Sequence, residues 1–217
     1  MKQLALFLVL SGLSVGCGGG GKITDLPLVW SGVKKPPSAS PAVTAALKAV
    51  PIEPGEFKDG RTTPPNVVGT YQSDGFIVTT KGDVRAFWAG HERILLEHAG
   101  AKFQSPGGAR LDATLLQLDV LEGDKFNGTA RVSFTVTTRS SAPWTKAYEG
   151  KVQRWGRTHK PDNFDEALSN AIAEVTRQLL NDEAFALALE GKPVPALLPT
   201  PQAGPPIGTP PVVGKPL

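Results

Sequence analysis

Cysteine is almost absent from this chain, which has one, Cys17, among 217 residues. An intrachain disulfide needs two cysteines, so the sequence excludes one. Long apolar runs are lacking too, because the run within residues 4–13 is about half of the roughly 20 residues that a membrane-spanning helix needs. Charge of one sign is also scarce: 23 Lys and Arg against 20 Asp and Glu leave a formal net charge of +3, too small for a typical nucleic-acid binder.

Motifs for catalysis and metal binding are missing as well. Of the three histidines, His91 and His98 are seven residues apart, about 10 Å along a helix, which is too far for one metal ion. His159 stands alone. The sequence has no G-x-S-x-G elbow, no Walker motif and no dinucleotide-binding glycine pattern after a strand. We therefore expect no catalytic residues, no metal, no cofactor and no nucleic-acid partner.

The N-terminus has the features of an exported protein. Lys2 precedes the apolar run of 4–13, and small residues follow, which predicts a signal peptide over residues 1–16. Cys17 after Gly16 resembles a lipobox, although Ser14 stands where that pattern usually has leucine. The resemblance implies that the Cys17 thiol receives a diacylglycerol and becomes the first residue of the mature protein. The alternative is an ordinary signal peptide with an incidental cysteine, but the flexible glycine run of 18–21 favours an anchor.

Composition divides the rest of the chain into three parts. Residues 17–41 are predicted to be a lipidated, disordered tether, and residues 42–191 an α+β domain. Residues 192–217 contain nine prolines and too little apolar area for a core, which predicts a disordered tail. The tail is interpreted either as plain disorder or as a spacer or ligand for a proline-recognising partner.

Periodicity predicts the elements of the domain. Strands are expected at 43–52, within 66–80, and at 110–121, 129–138 and 144–155, the last three as an antiparallel meander. An amphipathic helix is expected over 83–99, and a second should begin at Asn163, with Glu166 completing a capping box. A short helix should continue to Leu189. The predicted class is a two-layer α+β fold, with an antiparallel sheet of about four to five strands and both amphipathic helices on one face.

Basic and aromatic residues cluster on the last predicted strand and form the candidate partner surface: Lys146, Tyr148, Lys151, Arg154 and Trp155. One interpretation is a surface for an anionic partner, such as lipid headgroups, lipopolysaccharide or a wall polymer. The other is a solvated sheet edge, whose lysines discourage pairing with another strand.

Five short elements within 50–189 resemble YajG-type envelope lipoproteins. Phe57-Lys58-Asp59-Gly60-Arg61 is similar to an element after that family's first strand, and Val68-Gly69 to the Ile/Val-Gly that follows. The helix opening at 83–87, the strand entry at 99–103 and the closing helix at 164–185 are similar in order. The resemblance implies a lipidated protein that faces the periplasm and has no established catalytic activity.

The sequence therefore predicts a non-enzymatic, membrane-anchored envelope lipoprotein that acts as a binding or assembly subunit. Gly18 is not the aspartate of an inner-membrane retention signal, so the outer membrane is the expected location, with the domain facing the periplasm. Expected partners are the membrane, through lipid on Cys17, and an envelope protein or anionic envelope polymer. The alternative is an accessory lipoprotein of lipid or lipopolysaccharide transport, which would need an apolar cavity or groove of several hundred Å³.

Overall fold

A computed structural model describes residues 22–156 and 160–195. Four helices and six strands follow in this order: α1 (Pro41–Ala49), β1 (Ile52–Asp59), β2 (Val67–Tyr71), β3 (Ile77–Thr79), α2 (Val84–His98), β4 (Ala109–Glu122), β5 (Phe126–Thr138), β6 (Trp144–Arg154), α3 (Pro161–Leu180) and α4 (Glu183–Leu189). The predicted α+β class is confirmed. Cys17, His159 and residues 196–217 of the tail lie outside the described residues.

The sheet is built around β4, which is central because it pairs along both of its edges. Strands β4, β5 and β6 form the predicted antiparallel meander. Along the other edge, β1 and β2 lie end to end and run parallel to β4, while β3 pairs antiparallel with β2. The parallel strands were not predicted. They arise because the chain crosses over through α2 before it returns as β4, a connection that parallel pairing requires.

The helices pack against one face of the sheet, where α3 contacts β4, β5 and β6. Alternate positions of β5, from Phe126 to Val136, are buried beneath it. Two glycines allow this close approach: a Cβ on Gly128 would lie 2.5 Å from the carbonyl oxygen of Ala167, and one on Gly150 would lie 2.3 Å from that of Ala171. The core between the two layers therefore depends on positions that have no side chain.

The predicted first strand at 43–52 is wrong, because most of this segment is helix α1. The Ser40 side chain accepts a hydrogen bond from the Val43 amide, and Pro41 occupies the first turn, where its missing N–H costs nothing. Val43, Ala46 and Leu47 then share the buried side at helical spacing. The first strand begins only at Ile52.

The predicted start of the last long helix at Asn163 is also wrong. Helix α3 begins at Pro161, whose fixed φ angle suits the first helical position, and its N-cap Lys160 makes no side-chain cap. Asn163 is therefore inside the first turn and buried, and Glu166 forms an ion pair with Arg154 instead of completing a capping box.

The structure corrects the prediction of a free tether for residues 22–40, because this segment packs along the domain. Ile23 and Leu26 are 8% and 0% exposed, and both belong to the core. The Leu26 amide donates to the Thr79 carbonyl at 2.8 Å, and the Val29 amide donates to Asp165 at 3.0 Å. Single apolar residues of this segment thus pack against the domain, although the composition of the segment predicted a spacer. Within 22–156 and 160–195, no helix has the length and hydropathy to cross a bilayer.

Candidate binding surfaces

Strand β6 divides the predicted basic and aromatic cluster between two faces. Lys146, Tyr148 and Arg154 occupy alternate positions on the helix-covered face, where the tyrosine is only 6% exposed. The side chain of Lys151 lies on the opposite face and is 68% exposed. Trp155 follows the strand and is 75% exposed. The structure therefore does not bring the five side chains together on one surface.

Lys146 and Tyr148, two cluster members that face the helices, share one acidic partner. Asp182, the N-cap of α4, accepts from the Lys146 ammonium and from the Tyr148 hydroxyl, both at 2.6 Å. Burial alone would raise the pKa of Asp182, but these hydrogen bonds outweigh it and hold the pKa below its usual range. Burial, together with the neighbouring Asp182 carboxylate, raises the pKa of Tyr148, so this phenol stays protonated. These contacts fasten α4 to the sheet edge.

The remaining cations of the cluster are paired as well. Arg154 forms an ion pair with Glu166 of α3, and the Lys151 ammonium lies 3.0 Å from a Glu149 carboxylate oxygen. An anionic polymer would have to compete with these carboxylates, and exposed ion pairs such as Lys151–Glu149 leave little net charge. Sequence spacing alone could not reveal these partners, because Glu166 and Asp182 belong to the following helices.

The face of the sheet that points away from the helices, here called the open sheet face, is polar along β5 and β6. In the described part of the chain no helix packs on it. Thr135 and Thr145 join neighbouring strands through a hydrogen bond of 2.9 Å between their hydroxyl groups, and Arg110 pairs with Asp112 at 2.9 Å. The face comprises these positions of β5 and β6: Thr129, Arg131, Ser133, Thr135, Thr137, Thr145, Ala147, Glu149, Lys151 and Gln153. Its hydroxyl-rich, mixed-charge composition is typical of a surface that meets water or another protein.

An open groove of about 570 Å³, here called the turn groove, lies between the β5–β6 turn and the end of α4. Trp144 and Pro143 line one side, and Ala188 and residues 191–195 line the other. A second groove of about 490 Å³ adjoins it at Ser140. The beginning of the proline-rich segment thus forms a wall of the turn groove, and Val194 packs against the core.

The most deeply buried carboxyl group, that of Glu92, was missed by the sequence analysis. Glu92 of α2 is 0% exposed, and burial raises its pKa to about 8. Its Oε2 lies 3.0 Å from the Thr176 hydroxyl of α3. The spacing from Trp88 to Glu92 to Leu95 could have revealed it, because these positions share one helical face. Since solvent does not reach Glu92, it has no access to a substrate.

His91, considered as a metal ligand, is held by other contacts. Its ring stacks on Trp30 with centroids 4.3 Å apart, and its Nδ1 lies 2.7 Å from the Phe87 carbonyl oxygen. Among residues 22–156 and 160–195, no three His, Cys, Asp or Glu side chains form a group that could hold a metal.

No protein-family model matches the sequence, and no curated protein matches it significantly. Solved structures are similar only distantly. A Xanthomonas campestris protein assigned to family DUF330 is 10% identical, with a TM-score of 0.46 over 75% of this chain and 90% of that one. A PelC variant from Paraburkholderia phytofirmans, crystallised as a dodecamer, is 12% identical, with a TM-score of 0.36 over 61% and 88%. A Neisseria meningitidis lipoprotein is 9% identical, with a TM-score of 0.28 over 48% and 84%. None of these likenesses assigns a function, and the YajG-type resemblance stays a prediction.

Proposed function

We propose that this chain is a non-enzymatic lipoprotein of the bacterial cell envelope, held by lipid on Cys17, and that its domain is a binding or assembly subunit. The observation that supports this function best is the combination of a core of fully buried side chains with a sheet face that no helix covers within residues 22–156 and 160–195. A scaffold needs a rigid body and a broad contact surface. The largest core side chains, among them Trp88 and Phe134, are fully buried, and the open sheet face supplies the surface.

The polar character of the open sheet face favours a protein partner over an anionic polymer. Its charged groups are mixed in sign, and Lys151 and Arg110 already have acidic partners. Hydroxyl groups such as those of Thr135 and Thr145 can exchange hydrogen bonds with a partner's side chains without leaving a buried charge unpaired. Non-obligate protein interfaces are only about as apolar as the rest of a protein surface, so this composition suits one.

The alternative function, lipid or lipopolysaccharide handling, is supported by one feature, the turn groove. Its volume of about 570 Å³ falls in the range of small-molecule sites. However, the groove is only partly enclosed, so an acyl chain lying in it would stay partly in contact with water. We therefore favour the binding subunit.

Changing Cys17→Ser tests the anchor. The variant should lose incorporation of labelled palmitate and move from the membrane fraction to the soluble fraction, because no acyl chain would then hold it. Mass spectrometry of the mature N-terminus gives the same answer for the unaltered protein. A serine variant that stays with the membranes would refute the anchor.

Site-specific photocrosslinking tests the open sheet face. A photoreactive residue at Thr135, which lies on this face between β4 and β6, should give a discrete protein adduct in native membranes. The matched control places the same residue at Glu97, which is exposed on α2 on the helical side. Equal adducts at the two positions, or none at Thr135, would contradict a partner on the open sheet face.

A further inference from the structure

Several chain segments meet at one end of the sheet, here called the anchor end and comprising residues 72–76, 122–126 and 154–156. Register places them together, because Tyr71 pairs with Glu122, Glu122 pairs with Phe126, and Phe126 pairs with Arg154. The turn groove lies at the opposite end, beside the start of β6. The two ends of the domain are therefore distinct in position and in composition.

The N-terminal segment reaches the domain at the anchor end. Lys22 forms an ion pair with Asp74, and its ammonium lies 4.8 Å from the centre of the Phe76 ring. The next amide, that of Ile23, donates to the Tyr71 hydroxyl at 3.2 Å. Cys17 precedes Lys22 by five residues, which can span at most about 18 Å. A bilayer that holds lipid on Cys17 must therefore lie close to the anchor end.

Exposed apolar side chains concentrate at or beside the anchor end. Five large apolar residues are exposed in the described part of the chain, and three of them, Trp155 (75%), Leu121 (40%) and Ile77 (52%), are here. The Lys125 ammonium lies 4.6 Å from the centre of the Trp155 ring, so the tryptophan has a polar neighbour as well as an apolar body. Tryptophan with such surroundings is enriched at the membrane–water interface, where one end of the side chain is apolar and the other is hydrated.

Charges among the described residues of the anchor end nearly cancel. Lys22 is paired with Asp74, Lys125 is flanked in the chain by Glu122 and Asp124, and Arg154 is paired with a carboxylate of α3. Attraction to anionic headgroups would require an excess of basic residues here. Contact of these described residues with a bilayer would therefore depend on apolar and aromatic side chains, and it would not require anionic lipid.

We propose that the anchor end is a membrane-docking surface, on which Trp155 sits in the interfacial region of the bilayer that holds the lipid on Cys17. The inference rests on the proposed lipid anchor. With the anchor alone, the domain would pivot about the residues after Cys17. A second contact at Trp155 fixes its tilt, so that β5 rises from the membrane and the open sheet face stands to the side.

The test uses the lipidated full chain in phosphatidylcholine vesicles that carry brominated acyl chains, which quench tryptophan fluorescence at short range. The protein contains four tryptophans, and Trp144 provides a matched control because it lies about 36 Å from Trp155 along the extended strand. In the unaltered protein, brominated lipid should quench part of the emission. Trp155→Phe should lose most of this quenching, whereas Trp144→Phe should keep it. Near-ultraviolet circular dichroism checks that both variants are folded.

The outcomes separate the docking surface from the anchor. If Trp155→Phe is quenched as strongly as the unaltered protein while all three proteins float with the vesicles, the docking surface is wrong and the anchor stands. If the unaltered protein does not carry acyl chains and does not float with vesicles, the proposed anchor itself has failed, and the docking surface fails with it. Loss of quenching in Trp144→Phe would place the bilayer at the opposite end of the domain and would also overturn the proposal.

Discussion

Replacing Glu92 with glutamine should make the stability of the domain much less dependent on pH. Glu92 is buried between α2 and α3, and its pKa of about 8 means that the folded protein keeps this carboxyl protonated at neutral pH. The hydrogen-bond pattern agrees with that state. The Thr176 hydroxyl has one proton but lies 3.0 Å from both the Ile172 carbonyl oxygen and Glu92. If Thr176 donates to Ile172, a protonated Glu92 can donate to Thr176.

The sign of the effect follows from the raised pKa. Unfolding returns Glu92 to its ordinary value of 4.5, so between that pH and about 8 the folded state binds one proton more than the unfolded state. The contribution to the free energy of unfolding is fully present below pH 4.5 and declines as pH rises towards 8. The slope is at most about 1.4 kcal/mol per pH unit, so from pH 5.5 to 7.5 the unaltered protein should lose roughly 2 to 3 kcal/mol relative to Glu92→Gln.

Urea denaturation at half-unit pH steps measures this difference directly. The matched control is Glu97→Gln, an exposed position on the same helix that pairs with Arg93. This control should follow the pH dependence of the unaltered protein. If Glu92→Gln and the unaltered protein also give parallel curves, Glu92 is ionised in the folded state, and its placement in a dry core is wrong.

Three further changes test the packing. Leu26→Ala should cost about 2–5 kcal/mol in urea denaturation, because Leu26 is fully buried; a free tether would show no change. Gly150→Ala should cost about 1–3 kcal/mol and lower the midpoint of thermal unfolding, since its Cβ would meet an α3 carbonyl oxygen, whereas Gly90→Ala has open space and should be neutral or stabilising. Burial raises the pKa of Asp165 to about 6, and this residue accepts from the Val29 amide, so Asp165→Ala should speed hydrogen exchange at Val29 about tenfold. Unchanged exchange would show that residues 22–40 are held without this bond.

The elements with the strongest periodicity were predictable from the sequence. Strict alternation over 129–138 predicted most of β5, and the strand predicted over 144–155 matches β6. Asp83 and Gly100 bracket α2 as its N-cap and as a residue with a φ of +107° just after its end. The strand prediction at 43–52 was wrong because a short apolar run fits both a strand and a helix. Ser40 and Pro41 were the local signals that favour a helix there, and they were assigned to the tether.

Parallel pairing and N-terminal packing depend on contacts that a sequence pattern does not encode. Strands β1 and β2 share one edge of β4 because α2 carries the chain across the sheet, and the residue pattern of neither strand reveals this parallel pairing. Residues 22–40 contain glycine, proline and lysine in the proportions of a spacer. Their burial comes from single side chains such as Leu26 that fit gaps beside β3, over 50 residues away in the chain.

The net charge of the candidate partner surface could not be predicted from the sequence either. The sequence places Lys146, Lys151 and Arg154 on one strand, which suggests a cationic patch. The structure supplies acids from α3 and α4 to the inner face, and it leaves the exposed tryptophan, Trp155, at the end of the domain where the chain arrives from Cys17. A membrane contact at this end therefore depends on an aromatic side chain and not on the basic cluster. Brominated vesicles with and without anionic lipid should accordingly quench Trp155 to the same extent. A strong dependence on anionic lipid would show that basic residues mediate the membrane contact, and it would refute this reasoning.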